Sequence, residues 1–250
     1  MTHTVDEMTP LWIFPIYPLL LTGPMAAALM PSQARLRALE MAAAALALQG
    51  IGFMISLMIY SAYIYRLMTR KLPRASARPG MFVSVGPSAF TAVGLVQLGA
   101  EAGKILGEGQ SKALAAAAPI LGLGTLVAGV WLWGLALWFF LVSAAANIGT
   151  AGARRLHFGL AWWGYVFPNT AFVQATFAIG EALHSHALQV VGTALAGALV
   201  VAWACVAGMT LRAVVRREVL WKGKDEDSGG ATATVGGRVW GGGAHDMRRA

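Results

Sequence analysis

Six long apolar segments, separated by short polar or basic stretches, constrain this chain more than any other feature. About 20 helical residues cross the roughly 30 Å of hydrocarbon in a bilayer. Stretches of that length lie at about 11–30 (A), 39–68 (B), 80–100 (C), 113–146 (D), 158–183 (E) and 187–214 (F). B, D and F are longer than the minimum and can tilt or extend into the interfaces. Of the 250 residues, 57% are apolar and 12% charged, about half the charged fraction of a soluble domain. A water-soluble enzyme of this size would lack the polar side chains to cover its surface, and the chain is too apolar to be disordered throughout. Residues 1–10 form a polar, slightly acidic N-terminal segment. They lack the pattern of a cleavable signal peptide, and none is expected. Residues 216–250 are rich in Gly, Thr, Ala and charge. They are expected to form a disordered cytoplasmic tail.

The formal charge of +8 has a topological explanation. Arg66, Arg70, Lys71, Arg74 and Arg78 join B to C, Arg154 and Arg155 join D to E, and Arg212, Arg216 and Arg217 follow F. The alternate connections are weaker or balanced. Arg35 and Arg37 lie near Glu40, Glu101 and Glu108 oppose Lys104 and Lys112, and E–F carries Glu181 with His184 and His186. The positive-inside rule then places both termini in the cytoplasm, in an integral membrane protein expected in the plasma membrane. Nucleic acid is not an expected partner; the lipid bilayer is.

The segments alternate in character. A contains Phe14, Pro15, Tyr17 and Pro18. C contains Ser84, Gly86, Pro87, Ser88 and Thr91. E contains Phe167, Pro168, Asn169 and Thr170. B, D and F are read as smooth helices without proline kinks. Pro15, Pro87 and Pro168 recur at intervals of 72 and 81 residues, which suggests a helix hairpin repeated three times in one orientation. The expected fold is an all-α integral membrane protein: six transmembrane helices as three parallel hairpin repeats with Pro-kinked inner helices. A proline frees an upstream carbonyl, and hydrocarbon cannot satisfy it. Either the kinks serve packing alone, or A, C and E line an internal path. The hydroxyls and amide beside each proline favour the path. Its candidate lining residues are Phe14, Pro15, Pro18, Ser84, Gly86, Pro87, Ser88, Thr91, Pro168, Asn169 and Thr170.

No Asp, Glu, Lys or Arg lies near the middle of a span, which argues against a cation site or proton relay. A path of backbone amides and hydroxyls with basic mouths suits an anion. No P-loop or nucleophile elbow is present, and the three histidines beside E lack metal-ligand spacing. No cofactor, metal site or enzymatic activity is expected. The lone Cys205 makes no intrachain disulfide. Tyr60, Tyr63 and Tyr65, next to Arg66, read as an interfacial aromatic belt.

The run from Arg78 to Thr91, RPGMFVSVGPSAFT, resembles fungal malic acid transport proteins. So do Trp12 to Pro15, Gly50 to Phe53, and Trp162 to Pro168. The chain is thereby identified as resembling the tellurite-resistance/dicarboxylate transporter family over about residues 11–215. That family also contains plant slow anion channels and fungal sulfite efflux pumps. The resemblance implies a ring of five helix hairpins around an anion pore, trimeric assembly, and a pore-plugging phenylalanine that corresponds to Phe167. It implies an organic anion such as malate as substrate, with sulfite as an alternative. The family has ten spans, and A–F match the fifth to tenth. A truncated form that only associates with membrane partners is therefore a third reading.

Overall fold

The computed structural model of the chain describes residues 8–70, 72–107, 112–148 and 158–216. Lys71, Glu108, Arg154, Arg155, His157 and the tail from Arg217 onward lie outside the described residues. Contacts divide the chain into two units, Met1–Ala207 and Gly208–Ala250. The described part of the second unit is the end of the last helix, with Arg212 and Arg216.

The described residues are helical and contain no strand. Segment A is a chain of short pieces. It has a 3-10 run at Pro10–Ile16, α1 at Tyr17–Leu20, α2 at Thr22–Leu29 and a 3-10 turn at Met30–Ser32. Segment B is one continuous helix, α3, at Arg35–Thr69. Segment C opens with a 3-10 run at Ala75–Val85 and continues as α4 at Gly86–Gly107. Segment D is α5, Lys112–Ile148. Segment E is a 3-10 run at Leu160–Tyr165 followed by α6 at Phe167–Ala182. Segment F is α7, His186–Val215.

Five of these stretches are long and apolar enough to cross a membrane. Segment E is not among them; its backbone breaks at Val166 (φ −103°, ψ −69°), and α6 has 16 residues. Two other expectations need correction. Segment D contains Pro119 inside α5, so the smooth helices are not all proline-free. Tyr60 and Tyr63 are not belt residues: both are buried, and their rings pack on Phe139. Only Tyr65 of the three is exposed. Of the polar segment 1–10, Met8 and Pro10 are buried.

The alternation of broken and continuous helices carries over into packing. In segment C, 89% of the most apolar stretch is buried, against 22%, 17% and 11% for α3, α5 and α7. A helix apolar on all sides yet mostly exposed within the fold needs an apolar solvent outside it. Helix α4 is central and packs against α2, α3, α5 and α6. The main core gathers Ile13, Tyr17, Leu20, Tyr63, Met81, Phe139 and Phe172. At the far end of α6, His184 adopts a left-handed conformation (φ 49°). This lets the Ser185 N–H reach the Gly180 carbonyl at 2.9 Å and turns the chain into α7.

One polar side chain ties the broken segments to a continuous one. Gln49 of α3 is 1% exposed. Its Oε1 accepts from the Gly23 N–H at 2.8 Å, and its Nε2 donates to Thr91 Oγ1 at 3.0 Å. Gly23 follows the break at Leu21, and its carbonyl partner one turn back, Leu19, is occupied by the Thr22 hydroxyl at 2.7 Å. Gly94 leaves room for this junction: a Cβ there would lie 3.1 Å from Pro24 and 3.4 Å from the Gly23 Cα. Gln49→Leu strands the Gly23 N–H and is expected to cost about 1–3 kcal/mol, the usual penalty for a buried unsatisfied donor. Unfolding of the variant and wild type in detergent checks this.

Candidate functional site: an aromatic cluster of three broken segments

Each broken segment is built the same way. A 3-10 run leads into an α-helix whose second residue is proline: Tyr17–Pro18, Gly86–Pro87 and Phe167–Pro168. Proline is tolerated there because the first-turn N–H groups have no helical partner. The structural counterpart of Pro87 and Pro168 is therefore Pro18. Pro15 lies about one turn earlier, inside a 3-10 run.

The carbonyls freed at these junctions find partners in the protein. The Phe14 carbonyl accepts the Tyr17 N–H. The Val83 carbonyl accepts the Gly86 N–H and also the Tyr17 hydroxyl at 2.6 Å, which binds segment A to segment C. The Ser84 carbonyl accepts the Tyr60 hydroxyl at 2.5 Å. The Tyr165 carbonyl accepts Asn169 Nδ2 at 2.9 Å. Burial without these partners would cost several kcal/mol per group in hydrocarbon.

The three junctions meet in one aromatic cluster. The Tyr17 ring lies 5.2 Å from Phe167, 6.0 Å from Phe90 and 5.6 Å from Phe14, centroid to centroid. Phe90 and Phe167 are 5.6 Å apart. All three broken segments thus contribute a ring. Gly86 occupies the position before proline where the other segments carry Tyr17 and Phe167. A Cβ at Gly86 would collide with the Tyr17 hydroxyl and ring.

The expected lining residues divide into two groups. Phe14, Pro15, Pro18 and Phe167 are exposed, and Thr170 is partly so. Phe14 and Phe167 keep 46% and 38% of their surface accessible although they belong to the cluster. Ser84, Gly86, Pro87, Ser88 and Thr91 are instead buried, as is Pro168. The three hydroxyls return to carbonyls of their own segment: Met81 at 2.7 Å, Val85 at 3.3 Å and Pro87 at 2.7 Å. Asn169 is also buried. It stands about 200° around α6 from Phe167 and lines a separate apolar cavity of about 190 Å³ with Phe82, Phe140, Phe172 and Leu195. Its Oδ1 has no hydrogen-bond partner among the described residues.

A larger cavity, about 610 Å³, is lined solely by the broken segments. Ala27 and Ala28 come from α2, Gln97, Glu101 and Lys104 from α4, and Gln174, Phe177 and Glu181 from α6. Lys104 donates to Glu101 at 2.7 Å. On α4, Phe90, Gln97 and Lys104 are spaced by seven residues. On α6, Phe167, Gln174 and Glu181 repeat the spacing. Seven residues make about two turns and about 10 Å, so each helix carries ring, amide and charge along one stripe. Tyr17, Phe90, Gln97 and Gln174 were not among the expected lining residues. The seven-residue spacing was the signal that could have found the last three.

At the other end, Arg78 of the basic B–C connection has a structural role. Its Nη1 donates to the Ala146 carbonyl near the end of α5, and its Nε donates to Pro73, both at 3.0 Å. The Asn147 amide donates to the Arg78 carbonyl at 3.1 Å, and the Tyr165 hydroxyl donates to Asn147 Oδ1 at 2.7 Å. A cation suits the C-terminal end of a helix.

Residues 1–211 match the model of the voltage-dependent anion channel (SLAC1) family, and the chain belongs to that family. It is 29% identical over 90% of its length to the malic acid transport protein of Schizosaccharomyces pombe, covering 51% of that protein. A putative malic acid transport protein of the same yeast is 32% identical over 89% of the chain and is covered to 52%. The sulfite efflux pump SSU1 of Trichophyton rubrum is 26% identical over 84% of the chain and is covered to 55%. The chain spans about half the length of these curated relatives. No solved structure matches it significantly.

Gly86→Ala is expected to destabilise the fold by about 1–3 kcal/mol through overpacking against Tyr17. Trimming the ring in the double variant Gly86→Ala/Tyr17→Ala relieves that clash. The two effects then sum to less than their separate costs, which a double-mutant cycle on detergent unfolding measures.

Proposed function

We propose that this chain carries the pore-forming helices of an organic-anion transporter, with malate or a related C4 dicarboxylate as substrate. Convergence of all three proline-broken segments on the Tyr17–Phe90–Phe167 cluster carries the reading. The same segments alone line the 610 Å³ cavity. Anions pass along the broken segments, and Phe167 is the movable constriction. It has ring contacts but no polar anchor, whereas Tyr17 is held through its hydroxyl. Identity of 29% and 32% to the malic acid transport proteins, against 26% to the sulfite efflux pump, favours a carboxylate over sulfite.

The positive-inside pattern supports cytoplasmic termini, and a plasma-membrane setting and a homotrimer complete the proposal as what the family resemblance implies. The half-length match gives a specific alternative in which the chain associates with membrane partners without transporting.

Phe167→Ala is expected to raise anion flux severalfold in proteoliposomes loaded with labelled malate. The sulfite reading predicts the same gain for sulfite and little for malate. Absence of flux for both anions in wild type and variant would favour the associating form.

A further inference from the structure

Beyond the constriction, the broken helices present a second repeated feature. Gln97 and Gln174 sit at the same step of the two stripes, each about two turns from its cluster phenylalanine. Both line the 610 Å³ cavity, Gln97 half-buried and Gln174 exposed, and neither side chain has a hydrogen bond to another described residue. A primary amide offers two N–H donors. Two amides on facing helices match the two oxygens of a carboxylate and add no fixed charge.

The charged groups around them are arranged not to compete. Lys104, one stripe step further on α4, is held by Glu101 at 2.7 Å. Glu181 occupies the equivalent step on α6 and lines the same cavity as Lys104. Two carboxylates beside one ammonium leave the cavity with a formal charge of −1. An unpaired lysine would hold an anion tightly, whereas conduction needs a site that binds and releases it.

We infer that Gln97 and Gln174 form a carboxylate-binding subsite in the cavity next to the aromatic constriction, and that Glu181 limits its affinity. This rests on the anion-pathway reading above and adds the residues that hold the anion. The amides donate to the carboxylate. Glu101 keeps Lys104 from trapping it, and Glu181 opposes it.

Equilibrium binding of labelled malate to the purified full chain in lipid nanodiscs tests the subsite without requiring flux. Wild type is expected to show saturable binding. Gln97→Leu and Gln174→Leu, which keep side-chain size, are each expected to weaken it about tenfold, the loss of one charge-assisted hydrogen bond. Glu181→Gln is expected to tighten it severalfold. These opposite directions cannot arise from general misfolding. No saturable binding by wild type, unchanged binding in both Gln variants, or unchanged or weaker binding in Glu181→Gln would overturn the inference. Binding that follows the expected pattern without flux in proteoliposomes would leave the subsite standing and overturn the transport reading.

Discussion

Everything in this fold depends on finding partners for backbone groups that proline and 3-10 geometry release inside an apolar medium. A continuous helix satisfies its own backbone. A broken one exports the obligation to its neighbours. Here the neighbours answer with hydroxyls and an amide: Tyr17 on Val83, Tyr60 on Ser84, and Gln49 on the Gly23 N–H. These bonds reach from segment A to C, from α3 to C and from α3 to A. The breaks and their partners therefore fix which helices lie side by side. The central burial of segment C follows, because it both supplies freed carbonyls and receives rings from both other broken segments.

The segments were legible in the sequence because hydropathy and length are local properties. The alternation of broken and continuous helices was legible because proline is conspicuous. Side-chain direction at the breaks was not. Ser84, Ser88 and Thr91 looked like pore hydroxyls because they flank Pro87, yet each bonds a carbonyl one turn back and is buried. Near a helix break a short hydroxyl has its own backbone within reach, and in a low-dielectric setting it takes that bond. Asn169 was grouped with Phe167 by proximity in sequence, but two residues on a helix place them on different faces. Tyr60 and Tyr63 resembled an interfacial belt because Arg66 follows them. Both rings pack on Phe139, 79 and 76 residues further along the chain, which no local pattern reveals.

Phe167 lies where the three broken segments meet, and its surroundings are as informative as the residue. It meets Tyr17 and Phe90 at ordinary aromatic distances. Such contacts have no polar anchor and can be exchanged for others at modest cost. The cavity lined by the same helices holds the two amides Gln97 and Gln174 and the charged Glu101, Lys104 and Glu181. Along α4 and α6 the chemistry therefore grades from aromatic through neutral polar to ionic, in steps of about two turns.

The glycine at position 86 has a wider meaning for the repeat. Three broken segments of the same local build have room for a ring at each pre-proline position only if the volume allows it, and at this junction it does not. Tyr17 takes the space that a side chain at 86 would need. The symmetry is broken in a definite order: one position is vacated, one ring is tethered by its hydroxyl, and one is left with apolar contacts only. Such an arrangement resembles a vice with one fixed jaw and one that travels. On the reading proposed above, in which Phe167 is the movable constriction, opening involves a single side chain rather than three, and the other two junctions stay intact.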